Sequence, residues 1–292
     1  MKYLIPIDFS KNAKNTISYA LEMGNKNDEY IIFHAWDSLV TLTYPVAVSA
    51  GLSKEKIIDR NLDILINEVI TNSPEYKSYD IQKKNGIGHP VFAIQNELES
   101  DDYDAVIMGT RDKYDLFDKF FGTVSLGIVK QAQIPVYLIP KDAKYKKIRK
   151  ALVGTDHHFE SEKTINKILD WNKGRRASLH FLHLTQPGKE FSSIKEKLFK
   201  ELICERALPY SLSFEVVVSN EIAKTINHKA DIYNHDLILI VPDKQSWLDA
   251  LLRTSVSKEL ILNSQKPMLF LKGESDNFDS KPRSIESKAI LL

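Results

Sequence analysis

Short apolar runs alternate along the chain with stretches in which hydrophobic side chains return every three or four residues. Tyr3–Asp8 is such a run, and Ser10–Met23 follows it with Ala13, Ile17, Ala20 and Leu21 at helical spacing. Ser10 is the candidate N-cap. Tyr30–His34 reads as a second strand, and Ser53–Ile70 as a helix with Ile58, Leu62, Leu65 and Val69 along one face. A third strand is expected at Ile81–Lys84, a helix opened by proline at Pro90–Glu99 and a fourth strand at Ala105–Met108. Thr123–Gln131 is the next helix and Val136–Ile139 the last strand. Strands without polar alternation, separated by helices, predict a parallel sheet covered on both faces. Right-handed crossovers then give a doubly wound, Rossmann-like α/β domain, whose ligand crevice lies beyond the carboxyl ends of the strands, where strand order reverses.

The pattern occurs twice. Leu4–Ser10 returns as Leu152–His158, 148 positions on, and Ala13, Ile17, Ala20 and Leu21 fall on Ser161, Ile165, Ile168 and Leu169. Later the spacing is 132: Asp104–Gly109 matches Asp236–Val241, Gly122–Ser125 matches Thr254–Ser257, and Pro135–Ile139 matches Pro267–Leu271. The second copy has lost most of Asp37–Leu52, which shrinks to Thr185–Ser192, and Ser193 with Glu196 makes a capping-box pattern at its second helix. The expected organisation is two tandem domains, 1–141 and 148–273, joined by a Lys-rich linker and followed by a polar tail, 274–292.

Forty Lys and Arg against 39 Asp and Glu leave a formal charge of +1, so no global field recruits nucleic acid or an anionic membrane. A single cysteine, Cys204, excludes an internal disulfide framework and a Cys-rich zinc site, and it fits a reducing compartment. Met1–Asp8 turns acidic too soon for a signal peptide, and no apolar run has bilayer-spanning length. A soluble, cytoplasmic protein is expected.

Three strand ends of the first copy carry the candidate chemistry: Pro6-Ile7-Asp8, His34-Ala35-Trp36 and Met108-Gly109-Thr110. The last continues through Asp112 to Gly122-Thr123-Val124-Ser125 at a helix start. Main-chain N–H groups and hydroxyls there can point at an anion, helped by the helix dipole.

These segments, in this order and repeated, resemble the universal stress protein family in its tandem form; the final Ile134-Pro135-Val136 adds to the likeness. The resemblance implies a non-catalytic stress-response protein and, in one branch of the family, an ATP site marked by G-x2-G-x9-G-[ST]. Carried over, Asp8 would sit near adenosine or its ribose and Ala35 would offer main chain to adenine. Gly109, Gly122, Thr123, Val124 and Ser125 would hold ribose and phosphates, with Pro6 and Met108 beside them. Asp112 stands where the motif has its second glycine. Repulsion from its carboxylate is worth roughly 1–4 kcal/mol at an effective dielectric of about 20–80. Arg111 and Lys113 flank it, and a bridging Mg²⁺ would turn the carboxylate into a ligand. In the second copy Val241, Lys244 and Thr254 replace Gly109, Asp112 and Gly122, and Pro242 removes a donor, although Asp156 and Ser255 remain. That half is expected to be degenerate.

Other features have plainer readings. His157-His158 fits a solvated loop better than a metal site. His180 and His183 fall on opposite faces of one strand, Cys204 on the apolar side of a helix, and His89-Pro90 at a helix-opening turn. Loop residues Leu39–Val48 are apolar enough to suggest a lid or a partner contact. The family likeness implies that Val136–Ile139 and Met268–Leu271 pair antiparallel within the chain, with homodimerisation and an unidentified protein partner through other surfaces. A competing reading is a nucleotide-independent interaction module with both crevices vestigial. A slow ATPase or an adenylating enzyme is the third; the adenylating type would want glycines that Pro6-Ile7-Asp8-Phe9-Ser10 lacks, and no motif assembles a base–nucleophile pair.

Overall fold

The computed structural model describes residues 1–36, 53–110, 121–155, 162–185, 208–241, 260–261 and 264–272. The first half runs β1 (Lys2–Pro6), α1 (Ala13–Met23), β2 (Glu29–Trp36), α2 (Lys54–Asn72), β3 (Asp80–Ile87), α3 (Pro90–Ser100), β4 (Ala105–Gly109), α4 (Phe121–Gln131) and β5 (Val136–Ile139). The second runs β6 (Lys150–Thr155), α5 (Glu162–Lys173), β7 (Ser178–Thr185), β8 (Leu212–Val218), α6 (Ile222–Ile232), β9 (Leu237–Ile240) and β10 (Met268–Phe270).

The ten strands among the described residues form one sheet in the order β3-β2-β1-β4-β5-β10-β9-β6-β7-β8. Pairing is parallel throughout, except that β10 runs antiparallel to β5, with Leu138 opposite Met268 and Val136 opposite Phe270. Each half therefore has the doubly wound order expected, and the reversal point falls between its first and fourth strands, β1 with β4 and β6 with β9. Apolar layers cover both faces and cross the junction: Ile5, Ile17 and Tyr137 share one with Val153, Ile165 and Leu269, while Leu4, Val106 and Ile128 share the other with Leu182, Ile226 and Met268. Among the described residues no helix is long and apolar enough to cross a membrane.

Two local expectations are corrected. The first helix starts at Ala13, not at Ser10, and Asn12 holds the cap position without bonding a helix N–H through its side chain. Phe9 takes a left-handed φ of 57°, turning the chain so that Ser10 N–H donates to Asp8 Oδ1 (3.0 Å) while Ser10 O accepts from Ala13. Strand β3 runs to eight residues, longer than its apolar signal: it lies at the sheet margin, where Lys83, Lys84 and Asn85 keep register with β2 without apolar side chains. The proline-opened helix at Pro90 stands as read, and Ser53, read as the first residue of the second helix, caps it instead: Ser53 Oγ accepts from Lys56 N–H at 3.4 Å. Loop 37–52, His157, His158, Cys204 and the tail 274–292 lie outside the described residues.

Candidate functional site

The carboxyl ends of β1, β2 and β4 open into a crevice of about 260 Å³. Pro6 and Asp8 come from β1 and its exit, His34 and Ala35 from β2, Met108 and Gly109 from β4, and Val124 from α4. Asn12, Thr16, Pro90 and Ile94 are also among its walls. Thus six of the ten residues expected at the site converge. Ser125 is 4% exposed and does not line the crevice, so its hydroxyl is packed inside the fold. Asp112 and the side-chain surroundings of 121–123 lie outside the described residues, although Gly122 and Thr123 belong to the first turn of α4.

Gly109 has a second reason to be glycine. A Cβ built on it would lie 2.6 Å from both Asn12 Nδ2 and Thr16 Oγ1. Asn12, only 5% exposed, donates from Nδ2 to Thr110 O at 2.8 Å and Ile139 O at 3.3 Å, tying the start of α1 to the exits of β4 and β5. Its Oδ1 is a buried acceptor without a hydrogen-bond partner. Thr16 Oγ1 donates to Asn12 O at 3.0 Å. The small residue at 109 thus serves the close approach of α1, whatever the crevice holds.

Sequence reasoning passed over His34 as a site residue, although it singled out that strand end. Nδ1 lies 2.9 Å from Ile7 O. A carbonyl only accepts, so Nδ1 carries the proton, and in the neutral ring Nε2 is an acceptor. Burial pulls the His34 pKa below its ordinary value, only partly opposed by the bond to Ile7 and the charge of Asp8, so the neutral ring is the form present near pH 7. The ring lies 4.3 Å from that of Phe9, which fixes one side of the β2 exit. Asn12 and Thr16 had no signal beyond being polar residues on a helix with an apolar stripe.

At the corresponding strand end of the second half, the position of the glycine is filled. Val241 replaces Gly109 and is 2% exposed, its side chain lying in the apolar layer with Ile165 and Leu271. Asp156, Pro242, Lys244, Thr254 and Ser255 lie outside the described residues.

The profile of the universal stress protein family matches residues 1–140. These residues belong to that family. Over the longer span the chain has the fold of a universal stress protein from Archaeoglobus fulgidus, with TM-score 0.67, 19% identity and coverage of 94% of this chain and 97% of that one. A second solved relative, described as a putative universal stress protein from Pseudomonas aeruginosa, matches at TM-score 0.57 and 14% identity, covering 93% and 92%. No curated protein matches the chain. At these identities the structural likeness establishes the fold. The universal stress protein half supplies the crevice described above, and the same strand order recurs in the half that follows.

A further cluster that sequence reasoning did not assemble sits at the amino ends of β6, β7 and β8. His180 and His235 stack at 5.2 Å and 30°, and Glu215 Oε2 is 3.4 Å from His180 Nε2. Lys229 pairs with Glu215 Oε1. With Lys150, Tyr233 and three serines, His180, Glu215 and His235 line a cleft of about 610 Å³. No group of three or more metal-ligating side chains suited to an ion occurs among the described residues.

Proposed function

We propose that this protein is a non-catalytic, stress-responsive regulator that takes an adenine nucleotide in the crevice of its first half. The observation that carries the reading is the convergence of Pro6, Asp8, Ala35, Met108, Gly109 and Val124 at the reversal point of a universal stress protein half. The volume lies just below the roughly 300–1,000 Å³ of small-molecule sites, which suits a nucleoside, with the phosphates reaching toward 109–125. Pro6, Ile94, Met108 and Val124 would exclude water from the base. Ala35 would offer main chain to it, and Asp8 would accept from ribose hydroxyls. The first turn of α4 would supply N–H groups to phosphate, and Asp112 would face the polyphosphate through Mg²⁺. The bound nucleotide supplies charge and bulk, and no covalent step is needed. His34 Nδ1 is engaged by Ile7 O, which weakens a case for acid–base chemistry.

A second reading, a pairing module with a vestigial crevice, draws on Gly109, whose glycine is already accounted for by Asn12 and Thr16. Calorimetry separates the two. The full chain is titrated with ATP, ADP and AMP, with and without Mg²⁺. Saturable heat that disappears in Ala35→Trp supports the first reading, and no heat at millimolar ligand supports the second.

A further inference from the structure

The two halves build equivalent grooves, each between the first helix of a half and the chain leaving that half's last strand. Beside α1, Asn15 Nδ2 donates to Pro140 O (3.4 Å), where the chain leaves β5, and to Ala143 O (3.0 Å). Lys144 Nζ donates back to Asn15 Oδ1 at 3.1 Å. Tyr145 then sets its ring edge-on to Tyr19, 5.4 Å away at 88°, and Ile148 is buried in the shared core. The linker fills this groove.

Beside α5 the second groove starts in the same way. Lys272 holds the repeat position of Pro140, and Lys167, in the place of Tyr19, donates from Nζ to Lys272 O at 3.0 Å. Beyond it is a cavity of about 410 Å³, walled by Tyr3, Tyr137, Trp171, Arg175 and Leu271. Trp171 Nε1 donates to Tyr137 Oη at 2.9 Å. Arg175 lies 4.8 Å over the Trp171 ring and donates to Trp171 O (2.6 Å) and Tyr137 Oη (3.4 Å), and among the described residues no carboxylate pairs with it. Asp104 and Asp170 also line the groove; Asp104 accepts from Lys2 N–H at 2.6 Å, and Asp170 is exposed.

From Lys272 the chain continues as Gly273-Glu274-Ser275-Asp276-Asn277-Phe278-Asp279. At the repeat spacing, Asn277 falls on Tyr145 and Phe278 one place beyond it. We propose that residues 274–279 are the occupant of this second groove. Phe278 packs on the Trp171–Tyr137 wall as Tyr145 packs on Tyr19, and Glu274 or Asp276 pairs with Arg175. Aromatic edges and a carboxylate–guanidinium pair are chemically matched to that wall. The tether holds the segment at an effective concentration of about a millimolar, so weak contacts suffice.

The test uses the full chain labelled with 5-fluorotryptophan, with the Trp171 resonance assigned by its loss in Trp171→Phe. Ending the chain after Gly273, and separately Phe278→Ala in the full chain, should both shift the Trp171 resonance and leave that of Trp36 in place. A peptide of residues 274–284 at about millimolar concentration, matching the tether, should return it in the shortened protein. An unmoved Trp171 resonance in Phe278→Ala overturns the proposal. So does failure of the peptide to reverse the shift, or a shift that depends on protein concentration, which would place a second copy's tail in the groove.

Discussion

The two halves share a strand order yet solve the same positions with opposite chemistry. At the carboxyl ends of the strands, the first half keeps Gly109 and packs Asn12 and Thr16 against it, whereas the second fills the position with buried Val241. At the amino ends, the first half pairs Lys84 on its third strand with Glu97 on the following helix, 2.7 Å apart. The second half pairs Glu215 on β8 with Lys229 on α6, so the polarity is inverted. Tyr103, which donates to Glu97 Oε1 at 2.5 Å, has His235 as its counterpart. Repetition of a fold constrains which positions are buried; it leaves open which chemistry neutralises them.

The comparison breaks most sharply at Gly109. Gly109→Val installs the second half's residue where a Cβ already meets Asn12 and Thr16 at 2.6 Å, and it should cost about 3 kcal/mol, at the upper end for overpacking. Urea unfolding without any nucleotide measures this, and a nucleotide-only role for Gly109 would leave the midpoint unchanged.

Acid should reveal the second half. Burial, with the neighbouring His180 charge and Lys150 adding to it, pulls His235 down to about 4, and burial lowers His180 as well despite Glu215. A histidine whose folded pKa is depressed gives the unfolded chain more bound protons between pH 6.5 and 4. Stability is therefore full above pH 6.5 and falls as the pH drops toward 4. At 1.36 kcal/mol per unit, His235 alone accounts for about 3 kcal/mol by pH 4. His235→Phe should flatten that slope. Tyr103 has its pKa raised by burial and by Glu97, so it contributes no titration in this range.

Smaller effects sharpen the contrast. Asn12→Ala removes two buried bonds that tie α1 to β4 and β5, and should cost about 1–2 kcal/mol in urea unfolding. Tyr103→Phe leaves Glu97 with Lys84 alone and should cost about 1 kcal/mol, measured the same way.

Much of this was legible in the sequence because burial leaves periodic marks. The apolar runs of β1, β4, β5, β9 and β10 gave strands to within a residue or two, and the repeat fixed their order. The strand-end rule located Pro6, Asp8, Ala35, Met108 and Gly109 together. Polar residues that act by reaching across the fold left no such mark. Asn12 bonds carbonyls 98 and 127 residues away, and His180 meets His235 through strand β7 and the end of α6. The turn at Phe9 was equally silent, since a left-handed φ is unusual for phenylalanine. A glycine read as a phosphate cradle proved also to be a packing requirement, which only the neighbouring helix could disclose.

The most direct test is a crystal of the full chain grown with ATP and Mg²⁺. Adenosine density is expected against Pro6, Asp8 and Ala35, with phosphates running toward Gly109 and the start of α4, and none at the exit beneath Val241. Density at the Val241 exit alone, or an empty crevice at saturating nucleotide, would contradict it.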